Sequence, residues 1–141
     1  MITAVANAII RFLTAVGCRI ESRELVNVPA RGPLILAANH INFLETPVIY
    51  PRLLPRPVTG LAKTEYWDNA FFRFLFTQWG LIPIRRGEAD LEAFSKSIEA
   101  LQANKILIVL PEGTRSSNGK MGQGHPGIVG VNERELLQSR H

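Results

Sequence analysis

Apolar residues return every three or four positions at the start of the chain, where Ile2, Ala6, Ile9, Leu13 and Val16 fall on one face of a helix. The stretch from Met1 to Gly17 is interrupted once, by Arg11, and falls short of the roughly 20 apolar residues that a membrane span requires. It has neither a basic start nor an A-x-A-like cleavage site, so it does not read as a secretory signal. Such a helix has two possible resting places: against the domain that follows, or flat in a membrane interface. Arg19 to Val28 alternates loosely and is expected to form an edge strand. The turn Arg31-Gly32-Pro33 then leads into the run Leu34-Ile35-Leu36-Ala37-Ala38, which is short, wholly apolar and bounded by turn residues, as a buried strand is.

From there the pattern switches back and forth. A helix is expected to start near Thr46-Pro47, a fair N-cap followed by a residue that suits the first helical position, and it should stop or bend by Pro51. Pro57 to Lys63 reads as a second strand. Trp67 to Trp79, crowded with Phe71, Phe72, Phe74, Leu75 and Phe76, reads as a helix apolar over much of its circumference. Gly80 to Ile84 is a third strand. Leu91, Phe94, Ile98 and Leu101 form the cleanest helical stripe in the chain, stopped at Asn104, and Lys105 to Leu110 is a fourth strand. Strands alternating with helices predict the α/β class, a single sheet flanked by helices. The expected organisation is an N-terminal apolar helix over residues 1–20 and one domain over 21–141.

Composition narrows the setting. At 141 residues there is room for one domain with a real core. The lone cysteine, Cys18, cannot form an intramolecular disulfide, and no histidine lies near it to make it a nucleophile. A net charge of +4 favours anionic partners. No Lys/Arg block or nucleic-acid motif accompanies it, which points away from nucleic acid and toward lipid headgroups or phosphorylated compounds.

Three of the strands run straight into polar clusters, and in α/β sheets ligands bind beyond the carboxyl ends of strands. The first cluster is Asn39-His40-Ile41-Asn42-Phe43-Leu44-Glu45. A histidine takes a hydroxyl proton near neutral pH when a carboxylate holds its far ring nitrogen. Taken alone, His40 and Glu45 could equally be a loop histidine and an unrelated surface acid. The second cluster is Gly80-Leu81-Ile82-Pro83-Ile84-Arg85-Arg86, whose guanidiniums match phosphate oxygens or simply sit in solvent. In the third, Pro111-Glu112-Gly113-Thr114-Arg115-Ser116, Gly113 permits close backbone approach, and Arg115 with the two hydroxyls suits a phosphate; a capping role for Thr114 or Ser116 is the plainer reading.

In this order, Asn-His-x4-acid, Gly-x4-Arg-Arg and Pro-Glu-Gly-Thr-Arg-Ser together resemble the glycerolipid acyltransferases of the 1-acylglycerol-3-phosphate acyltransferase type, over about Pro33 to Val129. The resemblance implies transfer of a fatty acyl group from acyl-CoA or acyl-carrier protein, as co-substrate, to the hydroxyl of a lysophospholipid, with no cofactor and no acyl-enzyme. It implies His40 as general base and Glu45 as the residue that orients it. Arg85, Arg86, Glu112, Gly113, Thr114 and Arg115 would bind the acceptor phosphate and shape the site. It also implies a peripheral or monotopic place on the cytoplasmic face of a membrane. The phenylalanine-rich stretch is then either an acyl-chain or membrane contact, or plain core.

Two features depart from the family pattern. The acid of the first motif is normally aspartate, and Glu45 carries one more methylene. Relatives also continue past Gly124-His125-Pro126-Gly127 into another strand, whereas Asn132 to His141 is polar, so the expectation is a domain lacking its usual C-terminal portion. Both leave room for an impaired relative that binds lysophospholipid or membrane without acyl transfer. A hydrolase is a further alternative, but no G-x-S-x-G elbow is present for a serine triad, and His40, His125 and His141 have no metal-ligand spacing.

Overall fold

The computed structural model describes residues 2–40, 45–85 and 90–112, and within them four strands alternate with four α-helices. Helix α1 (Ile2–Gly17) is followed by β1 (Leu34–Ala37), α2 (Glu45–Leu53), β2 (Val58–Lys63), α3 (Ala70–Gln78), β3 (Ile82–Ile84), α4 (Leu91–Gln102) and β4 (Ile106–Val109). The sheet order is β1-β4-β2-β3 and every pairing is parallel. The expected α/β class is therefore the observed one, and all four strands point their carboxyl ends to the same edge.

β4 explains why the most apolar run in the chain takes the inner position. Its four residues are buried, with both strand edges paired and both faces covered. Ile106 and Ile108 join Tyr50, Leu53, Leu75, Phe76 and Trp79 on the side of α2 and α3, while Leu107 and Val109 meet Ala93 and Leu101 of α4 on the other. A strand buried on both faces reads as continuous hydrophobic sequence rather than alternation. Gly60 of β2 stands beside it because a Cβ there would come within 3.1 Å of the Ile108 carbonyl oxygen. Asn104 ends α4 at φ +58°, the left-handed conformation that asparagine tolerates.

The phenylalanine-rich stretch is core only in part. Phe76 and Leu75 are buried and Phe72 packs against them, whereas Phe71 and Phe74 are exposed. One continuous helix over Trp67 to Trp79 does not form. A 3-10 turn spans Thr64–Asp68, and α3 begins after Asn69, whose side chain accepts the N–H groups of Phe71 and Phe72. That N-cap was the missed signal. Arg19 to Val28 is likewise no strand. It contains a 3-10 turn over Arg23–Asn27, which turns Leu25 and Val28 toward the core and leaves Val26 exposed. α2 carries Pro51 in its last turn and ends two residues later.

α1 is turned over relative to a helix of an ordinary soluble domain. Its apolar stripe points outward: Val5, Ile9, Phe12, Leu13 and Val16 are all more than half exposed. The stripe against the domain carries Thr3, Asn7, Ile10 and Thr14. Trp79 Nε1 donates to the buried Asn7 Oδ1 at 2.8 Å, Thr3 donates to Gln78 Oε1 at 2.8 Å, and Arg52 donates to Thr14 Oγ1 at 3.2 Å. The helix thus packs on the domain through polar contacts and keeps its apolar face unburied.

Candidate active site

The register of β1 against β4 sets the geometry at the carboxyl edge of the sheet. The last pair is Ala37 with Val109, and the ladder runs on through the Ala38 N–H, which donates to the Val109 carbonyl at 3.0 Å. His40 and Glu112 each lie three residues beyond that last pair, so the two chains deliver them side by side. The backbone N–H of His40 donates to Oε1 of Glu112 at 3.1 Å. Glu112 is 6% exposed, and a carboxylate so far from water requires donors of this kind.

Helix α2 returns to the same edge and begins at Glu45, so the carboxylate sits in the first turn, where the helix dipole favours negative charge. Its Oε2 lies 3.1 Å from Nδ1 of His40, with the two side chains 16% and 14% exposed. The extra methylene of glutamate therefore does not prevent the contact. As a carboxylate Glu45 can only accept, so Nδ1 carries the hydrogen and Nε2 presents its lone pair. A histidine held this way has a basic nitrogen of fixed direction and a carboxylate placed to stabilise the imidazolium.

Arg85 is not brought to this pair. It follows β3 at the far edge of the sheet, three strand spacings or about 14 Å from β1. Its side chain is exposed, and its backbone N–H donates to Asp90 Oδ2 at 2.9 Å. Asp90 also caps α4 through the Ala93 N–H, and these two amides, Arg85's foremost, hold its carboxyl below the usual aspartate range. Arg86, Gly113, Thr114 and Arg115 lie outside the described residues. Of the site residues expected from sequence, His40, Glu45 and Glu112 converge.

One basic residue escaped the sequence reading. Lys63 ends β2, the strand between β4 and β3, and is half-buried at the same carboxyl edge. In the sequence it shows only as the close of a strand. The available signal was the one that picked out His40 and Arg85, a polar residue where a parallel strand ends. A separate cleft of about 540 Å³, lined by Thr59, Gly80, Leu81 and Lys105 among others, opens at the amino-terminal ends of β2, β3 and β4, away from His40.

Known proteins resemble the chain in sequence and in fold. The family model described as Acyltransferase matches residues 19–134. The chain is 26% identical over 117 residues to a chloroplastic 1-acyl-sn-glycerol-3-phosphate acyltransferase of Arabidopsis thaliana, covering 80% of this chain and 32% of that protein. It is 23% identical over 101 residues to a 1-acyl-sn-glycerol-3-phosphate acyltransferase of Bacillus subtilis, covering 72% and 50% respectively. Its fold resembles the crystal structure of a 1-acyl-sn-glycerophosphate acyltransferase from Thermotoga maritima, with a TM-score of 0.61 at 22% identity over 78% of this chain and 42% of that one. The chain thus spans between about a third and a half of the length of these curated relatives.

Proposed function

Because the chain belongs to the acyltransferase family, we propose that it transfers a fatty acyl group from a thioester, acyl-CoA or acyl-carrier protein, to the free hydroxyl of 1-acylglycerol-3-phosphate. The observation that carries this reading is the His40–Glu45 contact of 3.1 Å at the carboxyl edge of the sheet. Nε2 of His40 removes the acceptor's hydroxyl proton as the oxygen attacks the thioester carbonyl. The tetrahedral intermediate then collapses by breaking the carbon–sulfur bond, and the proton on His40 passes to the departing thiolate. Ester and thiol are the products, with no covalent bond to the protein and no cofactor. Glu45 keeps the tautomer productive throughout and offsets the positive charge that forms on the ring.

The acceptor phosphate is assigned to the basic residues that end the strands or follow them: Lys63, Arg85, Arg86 and Arg115, with Gly113 and Thr114 shaping the approach. The outward apolar stripe of α1 is assigned to a membrane interface on the cytoplasmic side, held there peripherally or as a monotopic helix. Exposed Arg11, Arg19 and Arg23 accompany that stripe, which suits anionic headgroups. Among the described residues no helix is long and apolar enough to cross a membrane.

The test is thiol release from a long-chain acyl-CoA by the purified protein, with and without lysophosphatidate. Release that depends on the acceptor and disappears in His40→Ala, with circular dichroism unchanged, is the expected outcome. Equal release without acceptor would mean hydrolysis, and full turnover by His40→Ala would remove the proposed base.

A further inference from the structure

Resting on that reading of His40, we infer that Glu112 is a positioning residue: its carboxylate clamps the backbone amide of the residue that carries the base, rather than meeting the acceptor's phosphate. Three observations converge. Glu112 is buried, its Oε1 accepts the His40 N–H at 3.1 Å, and the parallel register of β1 and β4 places the two residues at equal distance beyond their last pair. A carboxylate repels a phosphate dianion, whereas it is the strongest acceptor a side chain can offer to a backbone N–H. The imidazole is consequently fixed at two points. Glu45, from the start of α2, holds Nδ1 of the ring, and Glu112, from the end of β4, holds the main chain beneath it. The first contact sets the rotation of the ring and the second sets where its Cα stands above the sheet.

The division of labour makes the two carboxylates separable. Loss of Glu45 disturbs the tautomer. Loss of Glu112 leaves the tautomer intact and lets the His40 backbone move away from the edge of the sheet. Because the clamp needs an acceptor and not a charge, the isosteric amide restores it: the carbonyl oxygen of Glu112→Gln can accept the same N–H.

The experiment compares the natural chain with Glu112→Ala and Glu112→Gln by hydrogen exchange at the His40 amide and by steady-state kinetics with acyl-CoA and lysophosphatidate. In Glu112→Ala the amide is expected to exchange at least about tenfold faster, since a hydrogen bond to a charged group is lost. Its kcat is expected to fall about 100-fold, the effect of a displacement near 1 Å, while KM for lysophosphatidate stays within about threefold. Glu112→Gln is expected to recover most of both losses. The inference is overturned if Glu112→Gln behaves like Glu112→Ala, if KM rises while kcat holds, or if the His40 amide exchanges alike in all three proteins. Should Glu112→Ala not fold, amide protection in Glu112→Gln decides: kept, it supports the clamp; lost, it overturns it. Amide exchange needs no turnover, so an absence of acyl transfer by the natural chain would count against the acyltransferase reading and leave the clamp to be decided by exchange.

Discussion

Replacing Glu45 with aspartate, the acid that the acyltransferase pattern normally carries, is expected to damage this protein. Oε2 of Glu45 stands 3.1 Å from Nδ1 of His40, and Glu45 is the first residue of α2, so its backbone is held by the helix behind it. Removing one methylene withdraws the carboxylate by about 1.5 Å, which opens the contact to roughly 4.5 Å, well past the range of about 2.7–3.2 Å for such a bond. A misplacement of about 1 Å in a catalytic group can lower the rate about 100-fold, and a loss of that order is expected in kcat. Glu45→Gln should fall further, by about 1,000-fold or more, because its amide can donate to Nδ1 and fix the opposite tautomer. The assay is acceptor-dependent thiol release from a long-chain acyl-CoA, with circular dichroism confirming that each variant folds. A Glu45→Asp protein as active as the natural chain, or more active, would refute the reasoning. It would mean that the helix start shifts to follow its side chain, or that the 3.1 Å contact is not what orients the base.

Further expectations address the rest of the molecule. Asn7→Ala leaves the Trp79 indole N–H buried without its partner and should cost about 1–3 kcal/mol in urea unfolding; a midpoint unchanged from the natural chain would mean that α1 is not held through this bond. Burial pushes the Tyr50 hydroxyl up from 10.0 to about 12. Folding therefore favours its neutral form, and that contribution is complete below pH 10 and is lost as pH rises from 10 through 12. The loss amounts to about 3 kcal/mol at most, and a Tyr50→Phe protein should lack this alkaline component in denaturant midpoints measured across that window. Phe12→Ser with Leu13→Ser should weaken sedimentation with anionic vesicles by tenfold or more, since burying each such side chain contributes about 1.5–3 kcal/mol; equal sedimentation of both proteins would take the membrane contact away from α1.

Sequence carried most of the sheet and the centre of the site. β1 and β4 were plain because apolar runs between turn residues have few alternatives, and α4 because Phe94, Ile98 and Leu101 keep a helical period; Leu91, expected on the same stripe, is instead 76% exposed, and the buried face runs through Ala93, Ser97, Ala100 and Leu101. The meeting of His40 with Glu112 was out of reach, since it depends on β4 inserting beside β1 and on the register between them. Arg19 to Val28 misled because a loose alternation cannot be told from a turn that buries every third residue. The direction of α1 stayed open for a different physical reason. A helical stripe records which residues share a face, not what medium that face meets, so Ile9, Leu13 and Val16 fitted an inward and an outward placement equally.

The place of β4 has a consequence for how the protein comes into being on the ribosome. β4 is the last of the described strands to be synthesised, yet it fills the space between β1 and β2, which have no pairing with each other. Until it emerges, the earlier strands lack the partner that joins them, and His40 awaits a residue 72 positions downstream. Such long-range parallel pairing forms late, because the entropy of closing the intervening chain is lost before any contact rewards it. A nascent chain therefore lacks, until β4 has joined β1 and β2, the Glu112 carboxylate that accepts the His40 N–H.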